Sequence, residues 1–313
     1  MAIVLIAPTK DNLEYWKKGL EEEAIKQGLN VPVLIGPETE KDEEVKMAVV
    51  WKHQPEMLYR FPKLQLISSM GAGVDHILKD KKMPADWQVV RIVDNQLSGS
   101  MSNYLLAAVL NYHKRLPGYI EKQAKKEWAY TDEPERPVKV GILGLGELGS
   151  DIAKKLVALG FPVFSYSSSP KKMEGVKSYA GEKELPLFLQ QVNVLICLLP
   201  LTEQTRGFLN LSLFEKCTPG TYLINVARGE HLEETDLVIA IEKGWISGAM
   251  LDVFKKEPLP GEHPFWEHPS IFITPHIASV THPDAAIPQI VENYKRLMNG
   301  EALMNEIDRK KGY

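Results

Sequence analysis

Three polar side chains, Arg228, Glu257 and His276, each follow a short hydrophobic run in the last third of the chain. Arg228 closes Tyr222-Leu-Ile-Asn-Val-Ala-Arg-Gly229, a buried strand opening into a glycine turn. A guanidinium there can grip a carboxylate through two parallel hydrogen bonds, an internal ion pair being the other role open to it. Glu257 follows Leu251-Asp-Val-Phe-Lys-Lys and His276 follows Ile273-Thr-Pro, so both belong just past strand ends that can lie side by side. A buried carboxylate beside an imidazole favours the protonated ring and fixes its orientation. Such a pair can give a proton to a carbonyl oxygen while hydride arrives at the carbon.

A source for that hydride is suggested by Val138-Lys-Val-Gly-Ile-Leu-Gly144-Leu-Gly146-Glu-Leu-Gly149, which ends a strand and begins an apolar-periodic helix at Ile152, Leu156, Val157 and Leu159. In this setting Gly144 permits a tight turn, Gly146 lets the backbone approach a pyrophosphate, and Gly149 lets the helix pack closely on the strand. Glu147 and Leu148 lie within the loop and join the glycines as candidate cofactor contacts. About 20 residues further on, a carboxylate normally accepts from the ribose 2′-hydroxyl of NAD. No Asp or Glu occurs between Asp151 and Glu174; Ser165 to Lys172 instead offers Ser167, Ser168, Ser169, Lys171 and Lys172. Hydroxyl and ammonium groups suit a 2′-phosphate, so NADP(H) is the expected cofactor. Dual use of NADP(H) and NAD(H) is its rival, because no arginine stands there to fork onto a phosphate.

The elements that must position these groups follow from the alternation of short apolar runs with amphipathic stretches, the pattern of parallel sheets covered by helices on both faces. The first strands are expected at Ala2 to Ala7, Val31 to Ile35, Met47 to Trp51, Leu64 to Met70 and Val89 to Val93. A second series of six is expected at Val138 to Leu143, Pro162 to Tyr166, Val192 to Leu199, Thr221 to Val226, Ser247 to Val253 and Ile271 to Thr274. A helix is expected from about Ser100 to Arg115, a surface loop over Glu121 to Pro137, and a last helix from Pro283 to Met298 that returns to the first lobe. The fold class is α/β, with two doubly wound parallel-sheet lobes. Residues 1–98 and 283–313 form a flavodoxin-like substrate domain, into which 99–282 is inserted as a Rossmann dinucleotide-binding domain.

Composition bounds what such a protein does. With 313 residues, 44% hydrophobic and 25% charged, the chain is long enough for about two ordinary globular domains. A net charge of −4 gives no electrostatic footprint for nucleic acid or an anionic membrane. No apolar run approaches the roughly 20 residues of a membrane-spanning helix. The opening Met-Ala-Ile-Val-Leu-Ile-Ala lacks the layout of a signal peptide. Only Cys197 and Cys217 are present, too few for a disulfide framework, which points to a reducing cytoplasm. The histidines at 53, 76, 113, 231, 263, 268 and 282 are left to structural roles. Glu262-His263 and Glu267-His268 lack zinc-type spacing, and no metal is expected.

Taken together, Gly144 to Gly149, Asn225 to Gly229, Asp252 to Pro258 and Pro275-His276 resemble, in order and over nearly the whole chain, the motifs of the D-isomer-specific 2-hydroxyacid dehydrogenases. The resemblance implies that Arg228 binds and polarises a 2-oxo acid, that His276 is the acid/base and that Glu257 tunes it. It further implies that Asp252, Leu199, Pro200, Val226, Ala227, Ala278 and Ser279 border the nicotinamide, with Thr205 among the cofactor contacts. Ser69-Met-Gly-Ala-Gly-Val-Asp75 resembles the loop whose backbone N–H groups hold the substrate carboxylate, here through Ala72 and Gly73.

Trp51, Pro55 to Leu58, Gly71 to Asp75, Gly248 to Phe254 and Asp308 to Tyr313 are similar to a bacterial subgroup that reduces glyoxylate and hydroxypyruvate. Ser168 and Asn103 depart from it, standing where the subgroup tends to carry an arginine and a glutamate. The reaction this implies is hydride transfer from NADPH to C2 of a small 2-oxo acid, with closure of the two lobes over the ligand. Trp51, Trp266 and Met101 are candidates to narrow the pocket, Trp51 as a substrate contact. The helix near Ser100 to Arg115, with Tyr104 and Tyr112, resembles the family's dimer-forming element and implies a homodimer. A dehydrogenase for a larger 2-hydroxy acid and a nucleotide-sensing binding protein of the same fold are the alternatives.

Overall fold

Strands buried on both faces must read as unbroken apolar runs rather than alternating ones. Ala2-Ile-Val-Leu-Ile6 does so, and in the computed structural model every residue of it is buried. The structure describes residues 1–8, 13–37, 39–129 and 135–312. The chain divides into two compact units, Met1–Leu97 with Val280–Tyr313, and Ser98–Ser279.

The first unit holds β1 (Ala2–Ile6), α1 (Leu13–Lys26), β2 (Val33–Ile35), β3 (Val45–Val50), β4 (Leu66–Ser69), α2 (Asp75–Leu78) and β5 (Gln88–Val90). Its strands form one parallel sheet in the order β2-β1-β3-β4-β5, the flavodoxin-like winding. Successive side chains feed opposite cores: Ile3, Leu5, Met47 and Val49 pack with Leu13, Trp16 and Leu20, whereas Val4, Ile6, Ala48 and Val50 pack with Leu58, Phe61 and Ile77.

The second unit begins within α3 (Asn95–His113) and continues through α4 (Leu116–Ala124), β6 (Val140–Leu143), α5 (Glu147–Ala158), β7 (Val163–Ser167), β8 (Val176–Ala180), α6 (Leu185–Leu189), β9 (Val194–Cys197), α7 (Leu211–Phe214), β10 (Thr221–Asn225), α8 (Glu234–Glu242), β11 (Ile246–Leu251) and β12 (Ile271–Ile273). Its seven parallel strands run β12-β11-β10-β9-β6-β7-β8. This is the Rossmann winding, with the strand order reversing between β6 and β9, where ligands of such sheets bind. The last helix, α9 (Pro283–Asn299), belongs to the first unit, where Ala286, Ile287, Ile290, Val291 and Tyr294 complete the core around Leu20. Beyond it Glu306 makes an antiparallel bridge to Val90, and the Arg309 guanidinium donates to the carbonyls of Met83, Pro84 and Trp87.

Three expectations need correction. The second series has seven strands, because Val176-Lys-Ser-Tyr-Ala180 is an edge strand whose half-exposed residues lack an apolar run. The expected loop from Glu121 is helical as far as Ala124; α4 buries none of its own residues, and its apolar Leu116 and Ile120 are exposed and precede that segment. The helix expected from Ser100 starts at Asn95, where Asp94 Oδ1 accepts from the N–H groups of Gln96 and Leu97 at 2.6 and 3.0 Å. Pro134 and Tyr313 lie outside the described residues. Among those described, no helix is long and apolar enough to cross a membrane.

Candidate active site

The strand β10 delivers Arg228, and the fully buried Asn225 shapes its exit. Asn225 Nδ2 donates to Arg228 O at 3.1 Å and Oδ1 accepts from Ala227 N–H at 3.2 Å. The half-buried Arg228 donates from Nη1 to Ala227 O at 2.6 Å. A Cβ on Gly229 would stand 1.9 Å from the Phe254 carbonyl carbon, so only glycine lets this turn rest on the backbone that leads to Glu257. Glu257 Oε1 in turn accepts from Phe254 N–H at 3.2 Å, and Oε2 lies 2.8 Å from His276 Nδ1. An ionised carboxylate only accepts, so Nδ1 carries the hydrogen and Nε2 is the nitrogen left to exchange a proton. The structure thus brings Glu257 and His276 into contact and packs the Arg228 turn against their loop.

His276 has φ +55°, the left-handed region that non-glycine residues seldom occupy, and Asp252 holds it there. Asp252 is 1% exposed. Its Oδ1 accepts from Thr274 Oγ1 at 2.6 Å and Ile277 N–H at 2.8 Å, and Oδ2 accepts from Ala278 N–H at 2.8 Å. One carboxylate therefore ties the chain on both sides of His276. Because the Thr274 hydroxyl spends its hydrogen on Asp252, the contact of 2.5 Å between Thr274 Oγ1 and Tyr104 is a bond donated by Tyr104. Burial pushes the Tyr104 phenol up to about 12, which keeps that hydrogen in place.

His231, set aside as structural in the sequence reading, lies three residues beyond Arg228 with none of its surface exposed. Its Nδ1 is 3.2 Å from Arg228 N and its Nε2 3.3 Å from Pro200 O. Burial lowers its pKa, a trend the carbonyls of Pro200 and Arg228 oppose. Pro200 O also accepts from Thr205 Oγ1 at 2.6 Å, and Thr205 Oγ1 accepts from Thr202 N–H at 2.8 Å, so this hydroxyl closes its own turn. Neither His231 nor the clamp of Asp252 carries a signature in the sequence beyond its place inside a motif.

The glycine loop joins β6 to α5 with very little space. Gly144 has φ +101°, and a Cβ on Gly149 would stand 2.0 Å from Gly144 O. Gly146, by contrast, is exposed, and a Cβ there would meet nothing within 4 Å, so the helix N-terminus opens onto free space with no side-chain cap. Glu147 is exposed and Leu148 half-buried. Leu145 N–H reaches Ser167 Oγ at 3.4 Å, tying the loop to the end of β7. Ser165 pairs with Ser178 across the sheet, which leaves Ser168, Ser169, Lys171 and Lys172 as the exposed polar groups of that edge. Leu199, Pro200 and Ser279 are half-buried, and Val226, Ala227 and Ala278 are buried.

In the first unit, Ser69 Oγ accepts from Gly71 N–H at 3.2 Å and donates to Gly73 O at 2.7 Å, shaping the loop that carries the half-buried Ala72 and Gly73. The half-buried Trp51 sets its ring edge-on to His76 at 5.0 Å, and His53 meets His76 at 5.9 Å. His53 Nδ1 is buried without a hydrogen-bond partner among the described residues, and burial pushes its pKa down to about 4 against the pull of Asp80. Met101 is core in the second unit, and Trp266 is exposed with Nε1 donating to Pro260 O. Tyr112 stacks on Tyr222 at 4.5 Å, so the helix aromatics at 104 and 112 serve the interior of their own unit. His263 and His268 accept from the N–H groups of Phe265 and Ser270. Among the described residues no group of three or more His, Cys, Asp or Glu could hold a metal.

Comparison with known proteins bears on this site directly. The family model for the D-isomer specific 2-hydroxyacid dehydrogenase, NAD binding domain, matches residues 106–278. A protein of Photorhabdus laumondii called glyoxylate/hydroxypyruvate reductase A is 45% identical over 272 residues, 85% of this chain and 87% of that one. Its namesake in Salmonella paratyphi B is 38% identical and covered end to end, as is this chain. Among solved structures, a D-isomer specific 2-hydroxyacid dehydrogenase from Xanthobacter autotrophicus in complex with NADPH and MES superposes with a TM-score of 0.92 at 36% identity, over 100% of this chain and 99% of the other. An NADPH-dependent glyoxylate/hydroxypyruvate reductase from Sinorhizobium meliloti, in complex with NADP and sulfate, gives 0.90 at 33% identity, again over 100% and 99%.

Proposed function

This chain belongs to the D-isomer specific 2-hydroxyacid dehydrogenase family, and on that premise we propose that it reduces glyoxylate and hydroxypyruvate to the corresponding 2-hydroxy acids, the chiral product being the D-isomer, with His276 as acid/base. It is an NADPH-dependent reductase of 2-oxo acids. The observation that carries the finer reading is the contact of 2.8 Å between His276 and Glu257 beside the Arg228 turn. The residues present fit the cofactor: the bare, exposed Gly146 at an uncapped helix start would receive a pyrophosphate, and Ser168, Ser169, Lys171 and Lys172 would receive a 2′-phosphate. When bound, the reduced nicotinamide supplies hydride to C2 of the oxo acid.

The protein's own groups do the rest. Arg228 binds the substrate and stabilises negative charge growing on the carbonyl oxygen. His276 Nε2 gives its proton to that oxygen, while Glu257 holds Nδ1–H and fixes the orientation of the ring. Backbone N–H groups at Ala72 and Gly73 are assigned to the substrate carboxylate, and Trp51 to the substrate's remaining surface. The two units are accordingly read as substrate-binding and dinucleotide-binding. We further take the protein to be a cytoplasmic homodimer that binds no nucleic acid. Its two cysteines are buried thiols pushed up to about 12, inert in a reducing compartment. Leu110 of α3, Leu116 and Ile120 of α4, and Trp128 at 96% exposed present apolar surface that a second copy would cover.

The test is steady-state oxidation of NADPH and of NADH against glyoxylate, hydroxypyruvate, pyruvate, phenylpyruvate and 2-oxoglutarate. NADPH-linked turnover fastest with glyoxylate and hydroxypyruvate supports the reading. Preference for a bulky acid overturns the substrate, and nucleotide binding without turnover of any acid overturns the reductase reading.

A further inference from the structure

The carbonyl of Pro200 has no hydrogen to give, so His231 Nε2, 3.3 Å away, must carry one. With that hydrogen in place the neutral ring leaves Nδ1 as an acceptor, and the Arg228 N–H at 3.2 Å fills it. Nδ1 also lies 3.2 Å from Arg228 O, but a neutral ring with its hydrogen on Nδ1 would have none to give Pro200 O and could not accept from Arg228 N–H. Burial favours the neutral ring, and so does the Arg228 charge, against the Glu230 carboxylate and the two backbone carbonyls. The imidazole is therefore a rigid strut with a donor at one end and an acceptor at the other. One end holds the backbone of the arginine, and the other holds the turn that follows β9, whose Pro200 carbonyl Thr205 already fixes.

We propose that His231 is a positioning residue that ties the Arg228 turn to the Leu199–Pro200 turn, its Nδ1 end serving the grip on the 2-oxo acid and its Nε2 end the grip on the dinucleotide. This rests on the assignment, made above, of Arg228 to the substrate and of Leu199 and Pro200 to the cofactor. A leucine here would fill space but make neither bond. Asparagine reproduces the acceptor at Nδ1 alone, and glutamine the donor at Nε2 alone, so the two ends of the strut can be cut separately.

The experiment compares the full-length protein with His231→Asn and His231→Gln. It reads the Kd for NADPH by fluorescence, the KM for glyoxylate at saturating NADPH, and the melting temperature. For His231→Asn, which keeps the Arg228 bond, the Kd is expected to rise about five- to tenfold while KM stays within about twofold, the scale of one lost hydrogen bond. For His231→Gln, which keeps the Pro200 bond, the pattern reverses. A residue that merely fills the core would move Kd and KM alike in both variants, or neither, and either result overturns the positioning role while the reductase reading stands. A wild-type protein that turns over no 2-oxo acid would overturn that reading and the positioning role with it.

Discussion

Replacing Asp252 by Asn tests whether one buried carboxylate holds the loop that carries His276. The substitution conserves shape and removes one acceptor. Whichever way the amide is turned, its NH2 must face a backbone N–H, that of Ala278 in one orientation and that of Ile277 in the other. The loop then loses at least one charge-assisted bond, worth about 1.5–3 kcal/mol, and leaves a buried donor unsatisfied at about 1–3 kcal/mol more. A combined cost of about 3–5 kcal/mol shifts the balance between held and released loop by a factor of about 150 or more. Since His276 is in a left-handed conformation that costs about 1–3 kcal/mol to maintain, the released loop does not keep it there. Hydrogen exchange at the Ile277 and Ala278 amides is expected to accelerate by two orders of magnitude, and kcat to fall at least about tenfold, without loss of the rest of the fold. Thr274→Val, which removes a single donor, is expected to do less. Unchanged protection at both amides together with kcat within about twofold of wild type would refute the clamp.

Other expectations follow from the same geometry. His276→Ala should lower turnover by about 10² or more with little change in NADPH affinity, and near-normal turnover would remove His276 from the chemistry. Gly149→Ala drives a methyl group to 2.0 Å from Gly144 O, so helix and loop must part; at about 1–3 kcal/mol, NADPH affinity measured by titration should fall roughly five- to hundredfold. His53 binds its proton at about 4 in the fold against 6.5 when free, so the unfolded chain takes up the proton first as pH falls. Stability should drop across that window by as much as about 3 kcal/mol in denaturant titrations, and His53→Phe should flatten the slope. Ile120→Arg with Trp128→Arg should yield monomers in sedimentation, and dimers that persist would place the contact elsewhere.

The parallel sheets are legible in the sequence because strands buried on both faces need runs such as Ala2–Ile6 and Val194–Cys197, which little else explains. The neighbouring ends of the strands carrying Glu257 and His276 follow from the same logic. Elements whose stabilising partners lie elsewhere are harder to read. The edge strand β8 has only one neighbour and tolerates Lys177 and Ser178 in its middle. The helix α4 turns Leu116 and Ile120 outward, so its apolar pattern answers to no surface of its own unit. Inside the site, Asp252 and Ile277 are 25 residues apart and His231 and Pro200 are 31 apart. Bonds from side chain to backbone over such separations depend on how strand ends meet, which no local pattern encodes. Ser165 illustrates the converse, a hydroxyl in the expected phosphate loop that pairs instead with Ser178 on the adjoining strand.

The return of α9 to the first unit sets an order of assembly. The cores of the second unit draw only on residues between 101 and 278, so they can close as soon as that stretch has left the ribosome. The first sheet is made earlier but finished later. Its core around Leu20 lacks Ile287, Ile290 and Tyr294, and the opposite core lacks Ile307, until residues 287 to 307 are synthesised. During translation the strands from Ala2 to Val90 therefore wait with apolar surface uncovered, bridging a long loop before their last partners arrive. A nascent chain halted before Pro283 would carry a finished dinucleotide-binding unit beside an incomplete one, and the incomplete half is where chaperones and proteases would act.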